Sequence, residues 1–251
     1  MTNPLHNRIE ALRGDDPYNL LGSSLVSEKH RYVWVQNART GSRSTMMALR
    51  ALEGNPYRGG NVWHEEGIRY LSDFDTDRVV EMLSAEEWYR FAFVRNPYDR
   101  LFSAYKSKIG NVDAESFYQD AQNEIRALND YPTVAGHKAG AVCFRDFVDF
   151  VVDGGRTHDG HWCVLAKRML CDVIPYDFIG RFETFRHDFA AVLRRLDAPP
   201  QILASTARVY NRSAEIWLAA AYDRETAAAV YGHYRQDFES FGYDRDSWLF
   251  S

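Results

Sequence analysis

Hydrophobic residues along the chain fall into blocks that predict strands followed by helices. The segment 31–37, RYVWVQN, is rich in β-branched and aromatic residues, as in a buried strand, and residues 45–53 continue with helical spacing. The order repeats at 91–95, a short apolar strand, after which Asn96 and Pro97 are suited to cap and to begin a second helix. Strands that alternate with helices predict an α/β fold with a parallel sheet.

Later segments extend the pattern with a third strand and further helices. YDFIGRF, at 176–182, has the composition of a strand, and an amphipathic helix is predicted over 185–196, before two prolines. Residues 111–141 are polar and contain glycine and proline, so we expect them to form an insertion over the surface. Other helices are predicted near residues 8–13, at 84–89 with Ser84 and Glu87 as a capping box, and at 143–155. Residues 215–238 are expected to form a C-terminal helical region.

Length and composition suit a soluble globular protein of one α/β domain or two small ones, with a sizeable core. The chain has 251 residues, of which 45% are hydrophobic and 26% are charged. It shows no repeat, low-complexity tract or interdomain linker. The formal net charge of −5 argues against a broad nucleic-acid surface but leaves room for a local basic pocket. We therefore expect no nucleic-acid partner.

Cysteine content and the N-terminal segment bear on the cellular compartment. Cys143, Cys163 and Cys171 form no CxxC pair, so we expect three small buried side chains in a reducing compartment rather than a disulfide framework. The first residues lack the apolar run of a signal peptide, and no apolar stretch reaches the roughly 18 residues of a membrane span. We expect a complete, cytoplasmic chain.

The loop after the first predicted strand carries the densest set of anion-binding groups. Residues 37–45 read NARTGSRST and stand between a strand end and a helix start, where backbone N–H groups favour an anion. Arg39 and Arg43 add forked cationic donors. The signature GxxxxGK[ST] of nucleoside triphosphate sites is not present. The loop therefore predicts an anion site for a different ligand.

A second anion site is predicted where the next strand ends. Arg95 closes that strand, and Ser103 is expected about two turns into the following helix, within reach of the same anion. Taken alone, Ser103 would be an ordinary helix serine. Two anion sites on one sheet predict a ligand that is phosphorylated at two places.

Four segments resemble the sulfotransferases that use 3'-phosphoadenosine 5'-phosphosulfate (PAPS). FAFVRNPYDRLFSAYKSK, at 91–108, resembles their 3'-phosphate segment, in the form found in the carbohydrate enzymes of the chondroitin and HNK-1 type and the bacterial proteins grouped with them. NARTGSRST is similar to their 5'-phosphosulfate loop, commonly PKTGSTS, and YDFIGRFETFRHDF and YRQDFESFGY resemble two later segments. The resemblance runs from Val33 to Tyr243.

This resemblance implies a fold, a domain and a co-substrate. The implied fold is a P-loop-like three-layer α/β fold with a central parallel sheet flanked by helices. One sulfotransferase domain would cover residues 1–251, with its core at about 31–245 and an acceptor-side insertion at 111–160. PAPS would be the co-substrate, and no metal is expected. The segments 54–70 and 111–160 are expected to shape the acceptor pocket.

The resemblance also assigns residues to the two phosphates of the nucleotide. Those at the 5'-phosphosulfate are Arg39, Thr40, Gly41, Ser42, Arg43, Ser44 and Thr45, and those at the 3'-phosphate are Arg95 and Ser103. The family usually has lysine where this chain has Arg39, which keeps the charge but replaces a compact ammonium by a longer fork. Asn211, Arg212 and Ser213 are candidates for a loop that closes the nucleotide site, with Ser213 as cap of the next helix as the alternative.

Sulfuryl transfer resembles phosphoryl transfer, in which positioning and charge stabilisation carry most of the catalysis. Arg39 and the loop donors are expected to stabilise charge on the bridging oxygen. A hydroxyl acceptor needs a general base, and His64 in NVWHEEG resembles in position the base of carbohydrate sulfotransferases, with Glu65 or Glu66 to orient or replace it. His161 in GHWCVLAKR is expected to line the acceptor pocket or to be structural, and is the second candidate base.

Two other functions stay open. A P-loop kinase or other nucleotide-dependent phosphotransferase is disfavoured by the missing Walker lysine motif and by the lack of an acidic strand end for Mg²⁺. A non-catalytic member that binds a nucleotide or a glycan is kept open by Arg39. The resemblance implies a carbohydrate or glycoconjugate hydroxyl as acceptor, and a small metabolite or a peptide hydroxyl is the alternative.

Overall fold

A computed structural model describes residues 3–59, 62–63, 67–110, 116–134, 137–138, 140–205 and 218–249. The chain divides into two compact units. The first comprises Met1–Arg95 and Leu165–Arg212, and the second comprises Asn96–Val164 and Ser213–Ser251. The single domain over 1–251 stays a prediction, and the two units are described separately.

The elements are numbered in chain order through the described residues. The strands are β1 (Leu25–Ser27), β2 (Tyr32–Val35), β3 (Arg69–Tyr70), β4 (Tyr89–Val94), β5 (Thr133–Val134), β6 (His137–Lys138) and β7 (Phe178–Arg181). The α-helices are α1 (Pro4–Gly14), α2 (Leu20–Ser23), α3 (Ser42–Leu52), α4 (Thr76–Ser84), α5 (Pro97–Ala104), α6 (Ser116–Leu128), α7 (Phe144–Val152), α8 (Leu165–Arg168), α9 (Phe185–Arg195), α10 (Pro200–Ser205), α11 (Leu218–Ala221), α12 (Arg224–His233) and α13 (Arg235–Phe241). Shorter helical turns lie at Leu71–Asp73, Tyr105–Ile109 and Ser247–Leu249.

The first unit contains a five-stranded mixed sheet in the order β3-β1-β2-β4-β7. Strands β2, β4 and β7 are parallel, whereas β1 is antiparallel to both β2 and β3. The α/β class is confirmed, but the prediction of a parallel sheet holds for these three strands only. Residues 28–31, which join β1 to β2, are too few for a crossover and allow only an antiparallel pair.

Helices α3 and α9 cover one face of this sheet. Trp34, Phe91 and Phe93 are almost fully buried on that face. They pack against Met46 of α3 and Phe189 of α9. Because α3 follows β2 and α9 follows β7, both helices begin at the carboxyl edge of the parallel strands, where ligands of such sheets bind.

An ion pair between a buried arginine and a partly exposed aspartate joins the starts of β4 and β7. Arg90, whose side chain is 6% exposed, donates from Nε and Nη2 to the Asp177 carboxylate at 2.8 and 2.9 Å. The backbone N–H of Arg90 donates to the same carboxylate at 2.7 Å. Burial by itself raises the pKa of Asp177, but the hydrogen bonds from Arg90 outweigh it, and the pKa is lowered.

Asp177→Asn is expected to lower the free energy of unfolding by about 2 kcal/mol at neutral pH, because the Arg90 guanidinium loses its charged partner. A larger loss is not expected, since the carboxylate is 34% exposed. The depressed pKa makes the contribution complete above about pH 4, the unfolded value, and it is lost as the pH falls through the lower folded value. Urea unfolding at about pH 7 and about pH 3 measures both effects.

The matched control is Asp172→Asn, which removes an exposed arginine–aspartate pair. Arg8 and Asp172 lie 3.1 Å apart with side chains 50% and 58% exposed, so this change should alter stability by less than about 0.5 kcal/mol. A loss in Asp177→Asn that stays constant between the two pH values would contradict the assignment of its stability to the ion pair.

The second unit has a helical core of its own. Leu101 of α5, Phe147 of α7, Val230 of α12 and Phe238 of α13 bury their side chains there together with Trp162. The β5–β6 hairpin belongs to the same unit. The described part of the helical region predicted over 215–238 is helical, as three successive helices α11, α12 and α13.

The prediction that residues 111–141 form an insertion over the surface is wrong for α6. Tyr118, Ala121, Gln122 and Ile125 of this helix are buried, and three of them belong to the apolar core. Their spacing places them on one helix face, and the polar residues between them concealed that period in the composition.

The helix predicted at 84–89 is also wrong. Helix α4 ends at Ser84, and the side-chain hydroxyl of that serine donates to the carbonyl of Val80 instead of capping a new helix. The cap of α4 is Asp75, which accepts from the N–H of Arg78 at 2.8 Å. Residues 89 and 90 already belong to β4.

Two further expectations concern the cysteines and membrane spans. Of the cysteines, Cys163 is buried, Cys171 is half-buried and Cys143 is exposed, so the expectation of three buried side chains holds for one. None of the helices in the described ranges has the length and apolar character that a membrane span requires.

Candidate anion-binding site

The loop between β2 and α3 presents the start of a helix without a side-chain cap. Gly41 precedes α3 with φ at +85°, and no side chain caps the helix at this residue. Arg39 also has a positive φ, at 70°. The first N–H groups of an α-helix have no partner within it and carry partial positive charge. The first turn of α3, at residues 42–44, is thus suited to hold an anion.

Gly41 lies against the ring of Phe185, the first residue of α9. A Cβ atom on Gly41 would lie 2.6 Å from Cε2 of Phe185, closer than real Cβ contacts allow. The ring itself is packed, with centroids 5.0 Å from Phe93 and 5.2 Å from Phe189. Both the positive φ and this contact restrict the position to glycine.

The hydroxyls of the loop divide into two groups. Thr40 and Thr45 are buried, and their Oγ1 atoms donate to the carbonyls of Asn37 at 2.8 Å and of Gly41 at 3.3 Å. Their hydroxyl protons therefore shape the loop. Ser42 and Ser44 are half-buried at the start of α3.

The exposed member of the loop, Arg43, contacts a tyrosine. Its Nη2 lies 3.4 Å from the hydroxyl of Tyr57, and its guanidinium carbon lies 5.8 Å from the centre of that ring. Ligand contact by any of the seven predicted residues, Arg39 to Thr45, stays a prediction.

Arg95 meets the loop inside the first unit. It follows β4 directly, is 8% exposed, and donates from Nη1 to the carbonyl of Arg39 at 3.2 Å. Its guanidinium carbon lies 4.2 Å from the centre of the Phe182 ring. The carboxyl ends of β2 and β4, where the sequence predicts the two cationic sites, are therefore adjacent.

Phe182 and Phe185 support this arrangement and were missed as site residues. They follow β7, the third parallel strand, and therefore lie at the same carboxyl edge of the sheet as the loop and Arg95. Aromatic residues three apart directly after a strand were the available signal in the sequence. Their contacts with Gly41 and Arg95 are between residues far apart in the chain, which local patterns do not encode.

Two predicted residues belong to the second unit. Ser103 lies in α5 and is 3% exposed. His161 has its Nδ1 atom 2.9 Å from Oδ1 of Asp159 and 3.0 Å from the hydroxyl of Tyr118. The Asp159 side chain is 6% exposed, and the N–H of His161 also donates to it at 2.8 Å. These contacts fix the orientation of the imidazole ring.

Six predicted residues lie outside the described part of the chain. They are His64, Glu65, Glu66, Asn211, Arg212 and Ser213. The general base and the closing loop therefore rest on the sequence.

Other features of the first unit do not coincide with this site. A cavity of about 120 Å³ lies toward the far end of α3, beside Tyr32, Arg50 and Glu53, and none of the predicted anion-binding residues lines it. Within the described ranges, no group of three His, Cys, Asp or Glu side chains could hold a metal ion.

Gly41→Ala is expected to lower the free energy of unfolding by about 2–3 kcal/mol. The left-handed backbone costs an alanine about 1 kcal/mol, and displacing the packed Phe185 ring adds about 1–2 kcal/mol. Urea unfolding measures the loss.

Gly54→Ala provides a control with the same backbone strain and no contact. Gly54 has φ at +82°, and nothing lies within 4 Å of a Cβ built there, so only the backbone cost of about 1 kcal/mol is expected. Equal losses in the two variants would show that the Phe185 contact does not restrict Gly41.

Comparison with known proteins identifies the family to which the sequence is similar. A sequence model described as "Sulfotransferase family" matches residues 23–244. Similar curated proteins are carbohydrate sulfotransferase 14 of Danio rerio, 27% identical over 73% of this chain, and carbohydrate sulfotransferase 10 of Xenopus laevis, 27% identical over 92%. The alignments span 50% of the first protein and 70% of the second. Carbohydrate sulfotransferase 8 of Mus musculus is 25% identical over 88% of this chain, which spans 56% of its length. No solved structure matches the chain.

Proposed function

Because the chain belongs to the sulfotransferase family, we propose that it transfers a sulfuryl group from PAPS to a hydroxyl of a carbohydrate or glycoconjugate. The family match covers both phosphate segments and confirms the resemblance inferred from them. The observation that carries the proposal is the hydrogen bond from Arg95 to the carbonyl of Arg39. It joins the two cationic strand ends, as a ligand with two anionic groups requires. The carbohydrate acceptor is proposed from the printed names of the relatives.

The residues of the first unit fit the anionic ends of PAPS. The N-cap of α3 is Gly41, which has no side chain to cap the N–H groups of the first turn. The first-turn N–H groups of α3 and Arg39 would hold the 5' end, and Arg95 would hold the 3'-phosphate. Ser103, assigned from the resemblance, is the proposed second donor to that phosphate, and Asn211, Arg212 and Ser213 are the proposed closing loop.

The proposed chemistry divides between charge stabilisation and proton transfer. PAPS, when bound, supplies the sulfuryl group and a phosphate leaving group. Arg39 stabilises negative charge at the 5' end through a forked, permanently charged donor. His64 removes the proton of the acceptor hydroxyl, and Glu65 or Glu66 orients the imidazole.

Isothermal titration with adenosine 3',5'-bisphosphate tests the donor site. We expect it to bind at least about a hundredfold more tightly than AMP, because the 3'-phosphate adds charge-assisted hydrogen bonds. Absence of binding, or equal binding of AMP, would reject the proposal. Tighter binding of ATP–Mg²⁺ than of the bisphosphate would favour the phosphotransferase alternative instead.

A transfer assay separates an enzyme from a non-catalytic member of the family. Purified protein and PAPS are incubated with a panel of glycans, and mass spectrometry detects products heavier by one sulfuryl group. Binding of the bisphosphate without any sulfated product across glycan, small-metabolite and peptide acceptors would favour the non-catalytic alternative. We also propose a cytoplasmic location, which fractionation of producing cells tests.

A further inference from the structure

We propose that Arg168 is a positioning residue for the anion-binding loop and that it acts through Asn37. The proposal rests on the function proposed above and concerns the first unit only. Arg168 ends α8, is 4% exposed, and lies far along the chain from the loop that it supports.

Asn37 is the residue that anchors the start of the loop. Its side chain is fully buried and is held at both ends: Nδ2 donates to the carbonyl of Phe93 in β4 at 2.9 Å, and Oδ1 accepts from Nη1 of Arg168 at 3.1 Å. Its own carbonyl accepts from the hydroxyl of Thr40 at 2.8 Å. The turn that leads to Arg39 and Gly41 is therefore built on one immobilised amide.

Arg168 fixes this amide with one arm of its guanidinium while the other arm holds a third segment. Nη2 donates to the hydroxyl of Ser23, the last residue of α2, at 2.6 Å. The planar fork thus connects α2, α8 and the start of the loop with directed hydrogen bonds. A lysine at this position has a single nitrogen at its end and does not reproduce the fork.

The buried cation also has an electrostatic consequence for the loop. A positive charge that is removed from solvent is screened less than a charge on the surface. The charge contacts Asn37, two residues before Arg39, so it favours an anion bound at the loop. The fixed Asn37 amide and the positive charge of Arg168 therefore both favour anion binding by the loop.

Removing Arg168 leaves the carbonyl oxygen of the Asn37 side chain without this donor, so the amide is able to rotate. The loop residues with positive φ, Arg39 and Gly41, then follow an asparagine whose side chain is no longer held in one orientation. Because anion binding by N–H groups depends on their direction, we expect the loop to bind phosphate less tightly even in a folded chain.

The test compares Arg168→Met with Arg50→Met in the full chain. Arg50 is 1% exposed in the same unit, and its Nη1 donates to the carbonyl of Val62 at 3.3 Å rather than to Asn37. We expect Arg168→Met to raise the Kd of adenosine 3',5'-bisphosphate about tenfold relative to Arg50→Met, with each variant confirmed as folded by circular dichroism.

A double variant separates positioning from general destabilisation. If Arg168 acts through Asn37, adding Asn37→Ser to Arg168→Met raises the Kd little further, and Arg168→Lys does not restore wild-type affinity. Equal Kd values for Arg168→Met and Arg50→Met, or fully additive effects of Arg168→Met and Asn37→Ser, would overturn the proposal.

Two further results keep the interpretation unambiguous. Should Arg168→Met not fold, Asn37→Ser alone is measured: a Kd about tenfold above wild type supports the proposal, and an unchanged Kd overturns it. Wild-type protein that does not bind the bisphosphate would instead reject the proposed function. Binding by wild type with no difference between the arginine variants would reject the positioning role alone.

Discussion

Replacing His64 by alanine is expected to lower kcat for sulfuryl transfer by about three orders of magnitude. The acceptor hydroxyl must lose its proton as its oxygen attacks, and His64 is the base proposed to take it. The Kd of adenosine 3',5'-bisphosphate should stay within about twofold of wild type, because the loop and Arg95 supply the proposed nucleotide contacts. Single-turnover kinetics with a glycan acceptor and titration with the bisphosphate measure the two quantities.

His161→Ala is the matched comparison, since the chain offers two candidate histidines. Asp159 and Tyr118 hold the Nδ1 atom of His161, so a role in shaping the second unit or the acceptor pocket predicts a loss of about tenfold, mainly in the KM of the acceptor. The reversed order, with His64→Ala fully active and His161→Ala nearly inactive, would transfer the role of base to His161.

The pH dependence of the reaction adds independent support for the base. A histidine acts as a base only in its neutral form, so wild-type kcat/KM should fall toward acid pH. The residual activity of His64→Ala should no longer show this acid decline. A decline that is identical in both proteins would assign the titration to a different group.

Arg95→Met is expected to raise the Kd of adenosine 3',5'-bisphosphate by about a hundredfold. The buried guanidinium is proposed to donate charge-assisted hydrogen bonds to the 3'-phosphate, and their loss costs about 3 kcal/mol. AMP lacks that phosphate, so its Kd should change by less than about threefold. The preference of the protein for the bisphosphate over AMP would therefore nearly vanish.

Two other variants control for charge and for ring stacking. Arg95→Lys keeps the charge but loses the fork, so an intermediate Kd is expected. Arg195→Met removes an exposed arginine whose guanidinium lies 5.3 Å from the centre of the Tyr89 ring, and the Kd should not change. If Arg95→Met weakened AMP and the bisphosphate equally, Arg95 would support the loop through Arg39 without contacting the 3'-phosphate.

Elements of both units could be predicted where their sequence signals are local. A continuous apolar run followed by a polar loop is typical of a buried strand before an anion site. The run Tyr32, Val33, Trp34 and Val35 has this form, and β2 lies there. Asn96 was predicted as a cap, and its side chain accepts from the N–H of Tyr98 at 3.0 Å. Both predictions depend on a few neighbouring residues.

The missed features depend on contacts between distant residues or on very short elements. Strands β1 and β3 have three and two residues, which is too few for a period to be recognised. The contact of Arg168 with Asn37 joins residues 131 positions apart. Neither residue carries a local signal, because a buried arginine and a buried asparagine are recognised only by their partners.

Phe182 and Phe185 belong to one short segment, and their ring centres lie 6.1 Å apart. The Phe182 ring stacks on Arg95 and the Phe185 ring contacts Gly41, so the two packed rings set the separation between this cation and the loop. A bisphosphate whose second phosphate is on the neighbouring ribose oxygen would require another separation, and the packed rings resist that change. If the nucleotide binds as proposed, a preset distance rather than additional contacts would discriminate between the 3',5' and 2',5' regioisomers.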